Sequence, residues 1–183
     1  MHFANKLLSF IVVLSLLLLP LLPSSLYAKE SPIHFKIDWP ENWNVSPIQK
    51  KSKGAADTYL MKASKVEDGK PRAVIVVHEL PITDSSTAFL DKMFASSLKT
   101  QEKLFLKSGF SMQIAAKESF QFKGFNAKRT TLRISKGEQL ISQMMTMILT
   151  GKRGYSITAV IMGELDKGLQ EEMNTSVASL TLF

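Results

Sequence analysis

Two adjacent stretches, "QLISQMMTMIL" (139–149) and "YSITAVIM" (155–162), are apolar at odd and at even positions, and only "TGKRG" separates them. Successive side chains of a strand point to opposite faces, so Leu140, Met144 and Ile148 face one way and Ile141, Met145, Met147 and Leu149 the other. The second stretch repeats this, with Tyr155, Ile157 and Ile161 on one side and Val160 and Met162 on the other. Strands buried on both faces belong at the centre of a sheet that is covered above and below. "GKRG" reads as a hairpin turn, which makes the two strands antiparallel neighbours.

Two segments can supply the cover. Over 85–107, Leu90, Phe94, Ser97/Leu98, Gln101 and Leu104/Phe105 recur at three- and four-residue spacing and predict one long helix. Asp84 or Ser85 can cap its start and Gly109 can end it, while Asp91, Lys92, Lys99, Lys103 and Lys107 form its solvent face. A last helix from about Leu165 to Leu180 carries Leu165, Leu169, Met173, Val177 and Leu180 on one stripe. More strands precede and follow the first helix. Ile33, Phe35, Ile37 and Trp39 alternate with polar residues, Tyr59, Met61 and Ala63 alternate after a lysine-rich loop "QKKSKGAAD", and "AVIVVHEL" follows the hairpin loop "KVEDGKPR". "FSMQIAAKESFQF" and "FNAKRTTLRI" then lead through the turn "SKGE" into the buried pair, as a meander. The expectation is an α+β chain: a three-layer α/β/α sandwich, with a central, mainly antiparallel sheet and one helix packed on each face.

Residues 1–28 have the layout of a secretory signal: Lys6, then the apolar run "LLSFIVVLSLLLLPLL", then "PSSLYA" with Ala28 at the cleavage point. They are expected to be removed, leaving 29–183 as a single domain in the periplasm with no stable transmembrane segment. The chain has no cysteine, which sets aside disulfides, thiol nucleophiles, thiolate metal sites and lipid attachment at a processed cysteine. The formal charge of +7 counts Lys6, so 22 basic against 16 acidic residues leave the remainder at +6. In an exported protein this points to anionic head groups, lipopolysaccharide or acidic protein faces, and away from nucleic acid.

The opening strand ends in "DWPENW", "GKRGYSITAVI" follows the meander, and the terminal helix runs into "SVASLTLF". With the order of elements, these features resemble the PsbP-like fold group, which includes the PsbP extrinsic protein of photosystem II, a Ran-binding nuclear import factor and DcrB-type periplasmic proteins. The resemblance covers nearly all of 29–183 and implies an exported bacterial family of that fold. It implies no catalytic motif, and its members bind different partners, so it carries no function across. It also implies that Trp43 packs under a helix at the start of the fold. Trp39, in phase with Ile37 and Phe35, is expected to point to the core rather than to serve as a stacking platform.

Few side chains suggest chemistry. His34 and His78 each stand alone in a strand, and a zinc site needs three or four converging ligands, so no metal is expected. "MMTM" (144–147) splits its methionines between two faces and reads as core filler rather than a copper site. Hydrolase elbows, metalloprotease helices and phosphate loops are absent, and no cofactor is implied. One surface stands out. If "SKGE" and "GKRG" are tight turns, Lys152 and Arg153 lie at the same sheet end as Lys123, with Lys128 and Arg129 close along the strand. At about 3.3 Å per residue these five span roughly 15 to 20 Å. The reading is a monomeric, non-enzymatic binding or accessory factor of the envelope whose partner, an envelope protein or an anionic surface, docks on that basic rim. An anionic membrane or lipopolysaccharide binder, and an enzyme with an unrecognised polar cleft, are the alternatives.

Overall fold

The computed structural model describes residues 34–52, 57–163 and 166–183. The leader reading at 1–28 and the position of Leu165 lie outside the described residues. The elements are β1 Phe35–Lys36, β2 Asn44–Ser52, β3 Asp57–Glu67, β4 Lys70–Pro81, α1 Thr87–Lys107, β5 Ser111–Phe122, β6 Phe125–Lys136, β7 Gln139–Leu149, β8 Arg153–Met162, α2 Lys167–Ser179 and β9 Thr181–Leu182. The fold is α+β: the described residues form a seven-stranded sheet in the order β2-β3-β4-β8-β7-β6-β5, two helices, and a short β1–β9 pair. Every pairing is antiparallel.

The two strands read as buried on both faces are indeed interior. β8 sits between β4 and β7, and Ile157, Ala159, Val160 and Ile161 are all buried along it. α1 carries the chain from β4 to the far edge of the sheet, and the meander β5-β6-β7-β8 brings it back to β4. Asp68 and Gly69, both at positive φ, make the β3–β4 hairpin a two-residue turn, so those strands reach further into "KVEDGKPR" than a plain loop would allow.

Local chemistry sets the ends of α1. Its N-cap is Ser86, one residue beyond the positions expected: the Ser86 hydroxyl accepts from the Phe89 N–H at 3.2 Å, and Asp84 in turn accepts from the Ser86 N–H at 2.7 Å. At the other end Gly109 adopts φ 76°, and the Phe110 and Gly109 N–H groups donate to the Phe105 and Leu106 carbonyls at 2.9 and 3.0 Å. This closes the helix with a left-handed residue, and the Phe105 and Phe110 rings meet edge to face across the turn at 6.2 Å.

The lysine-rich stretch expected as a loop is instead largely strand, since β2 continues through Lys50 and Lys51 to Ser52. β2 is an edge strand, and its register shifts between Ser46 and Gln49, around Pro47, which has no N–H to give the ladder. The end of the chain also departs from the expectation. After α2, Thr181 and Leu182 pair with Lys36 and Phe35, so both ends of the described chain are tied together.

The apolar stripes of the helices feed two main clusters. Leu90, Met93, Phe94, Leu98 and Phe105 of α1 pack with Leu132, Met145 and Val160 among others. Leu169, Met173 and Val177 of α2 pack with Phe35, Trp43, Ile75, Val77 and Ile157. The methionines of "MMTM" divide as strand geometry requires, Met145 and Met147 into the α1 cluster and Met144 against the α2 cluster, and the Met145 sulfur accepts from the buried Gln101 amide at 3.3 Å.

Candidate functional site

Among the described residues a polar constellation centres on Glu79. In "VVHEL" the strand parity of β4 turns Glu79 to the same face as Ile75 and Val77, opposite Tyr155 of β8, and its side chain is only 1% exposed. A buried carboxylate needs donors, and two distant residues provide them. Arg153, which opens β8 after the hairpin, donates from Nη1 to Glu79 Oε1 at 2.6 Å. His34 donates its backbone N–H to Oε2 at 3.1 Å, and its ring Nδ1 lies 3.2 Å from Oε1. The other ring nitrogen, Nε2, is 3.0 Å from Arg153 Nη2. A guanidinium only donates, so Nε2 accepts and the geometry assigns the proton to Nδ1, facing the carboxylate. His34 is therefore not isolated, as its sequence context suggested.

Catalysis needs a base within reach of a substrate. Both Glu79 oxygens and both His34 ring nitrogens are already engaged within the chain. The arrangement is a tie. It pins His34 to β4 and β8, and the His34 carbonyl accepts from the Tyr155 hydroxyl at 3.2 Å and from the Phe183 N–H at 2.9 Å, which draws in the chain end. Burial, then the Glu79 carboxylate, push the Tyr155 phenol up to about 12, while Arg153 acts in the opposite sense. A phenol whose ionisation is raised on folding contributes stability that is complete below its unfolded value, about 10, and lost as pH rises toward 12. Ultraviolet titration should show Tyr155 as a late phenolate that appears together with loss of the fold; ionisation near pH 10 in the native state would contradict the buried tie.

The five basic residues of the expected rim are not brought together as one surface. Lys128 and Arg129 are neighbours in β6 and point to opposite sides of the sheet. Lys128 pairs with Asp91 of α1, and Arg129 pairs with Glu118 at 3.2 Å, donates to Thr146 and lies over the Phe120 ring at 4.8 Å. Arg153 holds Glu79, and Lys123 donates to the Leu180 carbonyl at 2.8 Å. Of the five, Lys123 and Lys152 are exposed, and Lys128, Arg129 and Arg153 are partly buried. Among the described residues no group of His, Asp and Glu side chains is placed to hold a metal ion.

A different surface has the form of a binding site. Between the 38–42 loop and α2 runs an open groove of about 690 Å³, lined by Asp38, Trp39 and Glu41 on one side, Glu171 and Glu172 on the other, with Lys65 beside them. Its walls are cross-linked. The Asp38 N–H donates to Ser179 Oγ at 2.9 Å, Trp43 Nε1 donates to Glu172 Oε2 at 2.9 Å, and Lys65 Nζ donates to Glu172 Oε1 at 3.0 Å. The Trp43 hydrogen bond, followed by Lys65, holds the Glu172 carboxyl below its ordinary range against the opposing effect of burial. Trp43 is buried under α2 as expected, whereas Trp39 is half-buried: it packs against the core and also lines the groove. A second groove of about 370 Å³, between α1 and β5, balances Asp91 and Glu118 against Lys117 and Lys128 and has no net charge to recruit a partner.

The fold is shared with solved structures of low sequence identity. LpqN of Mycobacterium tuberculosis, described as involved in cell envelope biogenesis, is 16% identical with a TM-score of 0.53, covering 81% of this chain and 82% of its own. The cyanobacterial PsbP protein of Synechocystis sp. PCC 6803 is 12% identical with a TM-score of 0.54, covering 87% and 98%. These place the chain in the PsbP-like fold group. No curated protein is significantly similar to it in sequence. Residues 34–182, nearly all that the structure describes, match one family model, and the chain belongs to the family described as Domain of unknown function (DUF4946).

Proposed function

We propose that this chain is an exported, monomeric, non-enzymatic accessory factor of the cell envelope that works by binding, through the groove between the 38–42 loop and α2. The observation that carries the reading is a contrast between two polar sites. The cluster with catalytic residue types is closed on itself around Glu79, while the groove is open, mixed in polarity and braced. Binding sites combine a concavity with a few placed polar groups in this way. The signal layout of 1–28 supports export, and LpqN's description supports an envelope role by fold-level analogy. The finer architecture belongs to the same proposal. Val77 of β4 joins the α2 cluster and Leu80 the α1 cluster, which supports a three-layer sandwich with one helix on each face of a single domain starting at Lys29.

A photo-cross-linker placed at exposed Thr175, in cells expressing the full chain, should give a discrete adduct in the envelope that disappears with Trp39→Ala, and the released protein should have the mass of 29–183. The same probe at Lys152 should give no discrete adduct. Intact protein from Met1 in the inner membrane would overturn the export reading. An adduct at Lys152 but not at Thr175 would return the binding surface to the basic rim.

A further inference from the structure

We propose that the groove takes a cationic peptide: a short, extended, lysine- or arginine-bearing segment of a partner protein. This rests on the binding reading above and names the chemistry of the ligand.

The charge of the groove opposes that of the molecule. Its lining holds Asp38, Glu41, Glu171 and Glu172 against Lys65, on a chain of net charge +7. Lys65 pairs with Glu172, which leaves three carboxylates. Lys36 stands 3.9 Å from Asp38, but both side chains are about three-quarters exposed (75% and 74%), where such a pair holds little charge back from a ligand. A basic chain that needed only solubility would have no reason to gather acids between two separate segments, one before β2 and one in α2. A cationic ligand gains from each of them, and an anionic one is repelled.

The shape selects a peptide side chain. Trp39, with Pro40 beside it, is fixed against the core on one side and lines the groove on the other. An indole held this way receives the methylenes of Lys or Arg and attracts the charged head to its face. Glu171, Thr175 and Ser179 follow one stripe of α2, so this wall is about 12 Å long at 1.5 Å per residue, which four extended residues match. Thr175 is exposed on that stripe and offers a hydroxyl to the peptide backbone. The bonds from Trp43 and Lys65 to Glu172, and from Asp38 to Ser179, set the walls before any ligand arrives, which lowers the cost of ordering them.

The test is calorimetric titration of the purified chain with acetylated pentalysine amide at low ionic strength. The expected result is saturable one-to-one binding, weakened about tenfold by Glu41→Lys and by Glu171→Lys, each of which reverses an exposed charge. Trp39→Leu should weaken it severalfold, and raising salt from about 20 to about 300 mM should weaken it for every form that binds. Asp91→Asn, in the other groove, should leave it unchanged. Wild-type circular dichroism and unfolding midpoints for Glu41→Lys and Glu171→Lys separate lost binding from lost folding. No saturable binding, or binding equally strong in both charge reversals, overturns the proposal. So does spermine binding as tightly with the same variant sensitivity, which would mean a free polyamine, or sedimentation showing self-association that both reversals abolish, which would mean a second copy of this chain. If pentalysine fails while the Thr175 adduct still forms, the cationic ligand is wrong and the groove remains the binding surface; loss of both removes the groove reading itself.

Discussion

Arg153→Met is expected to destabilise the fold by about 3 kcal/mol, read as a lowered denaturant midpoint at unchanged slope. Glu79 is 1% exposed and its Oε1 is held by the guanidinium at 2.6 Å, so removing the cation leaves a buried carboxyl group with His34 as its remaining partner among the contacts described. The value sits at the low end of the range for breaking a buried pair because Arg153 is itself 23% exposed and water can partly enter its place. The same physics predicts non-additivity. Glu79→Leu combined with Arg153→Met should cost less than Arg153→Met alone, since the double variant strands no charge. Additive losses, or a loss under about 1 kcal/mol for Arg153→Met, would mean that the tie contributes little. Arg153→Glu should destabilise the fold further, because it would bring a second carboxylate up to Glu79.

The centre of the fold was legible because β7 and β8 are apolar at both parities, a pattern that leaves few places in a sheet. α1 was legible to within two residues of its start, with the cap missed by one because Asp84, Ser85 and Ser86 are all competent caps and only the backbone chooses among them. The edges were less readable. β2 carries Pro47 and two lysines, which are poor strand residues by composition but suit an edge with a bulge. β9 is two residues long, too short for any period. The two sites were hidden for a further reason. His34, Glu79 and Arg153 lie 45 and 74 residues apart, and they meet only because the β4–β8 register sets Glu79 across from Tyr155 while the β1–β9 pairing brings His34 alongside. The groove likewise depends on α2 lying against "DWPENW". The acids were visible in both segments, but their convergence follows from tertiary structure.

Trp43→Ala is expected to cost about 3–5 kcal/mol, the range for truncating a large buried aromatic. Its ring is 7% exposed within the cluster that joins β1, β4, β8 and α2, so truncation loses both the transfer free energy and the contacts around the cavity left behind. Trp43→Phe separates packing from the hydrogen bond, because it keeps most of the apolar area and removes the Nε1 donor to Glu172. Its pH dependence has a definite sign. The carboxyl of Glu172 is depressed in the folded state, first by this hydrogen bond, so the stabilisation is present above the ordinary carboxylate range and is lost as pH falls through the folded value. The gap in stability between wild type and Trp43→Phe should therefore be largest near neutral pH and narrow in acid. Because the same bond braces the groove, Trp43→Phe should also weaken pentalysine binding without removing a carboxylate. A gap that does not change between pH 7 and pH 3, measured by denaturant unfolding, would show that Trp43 acts through packing alone.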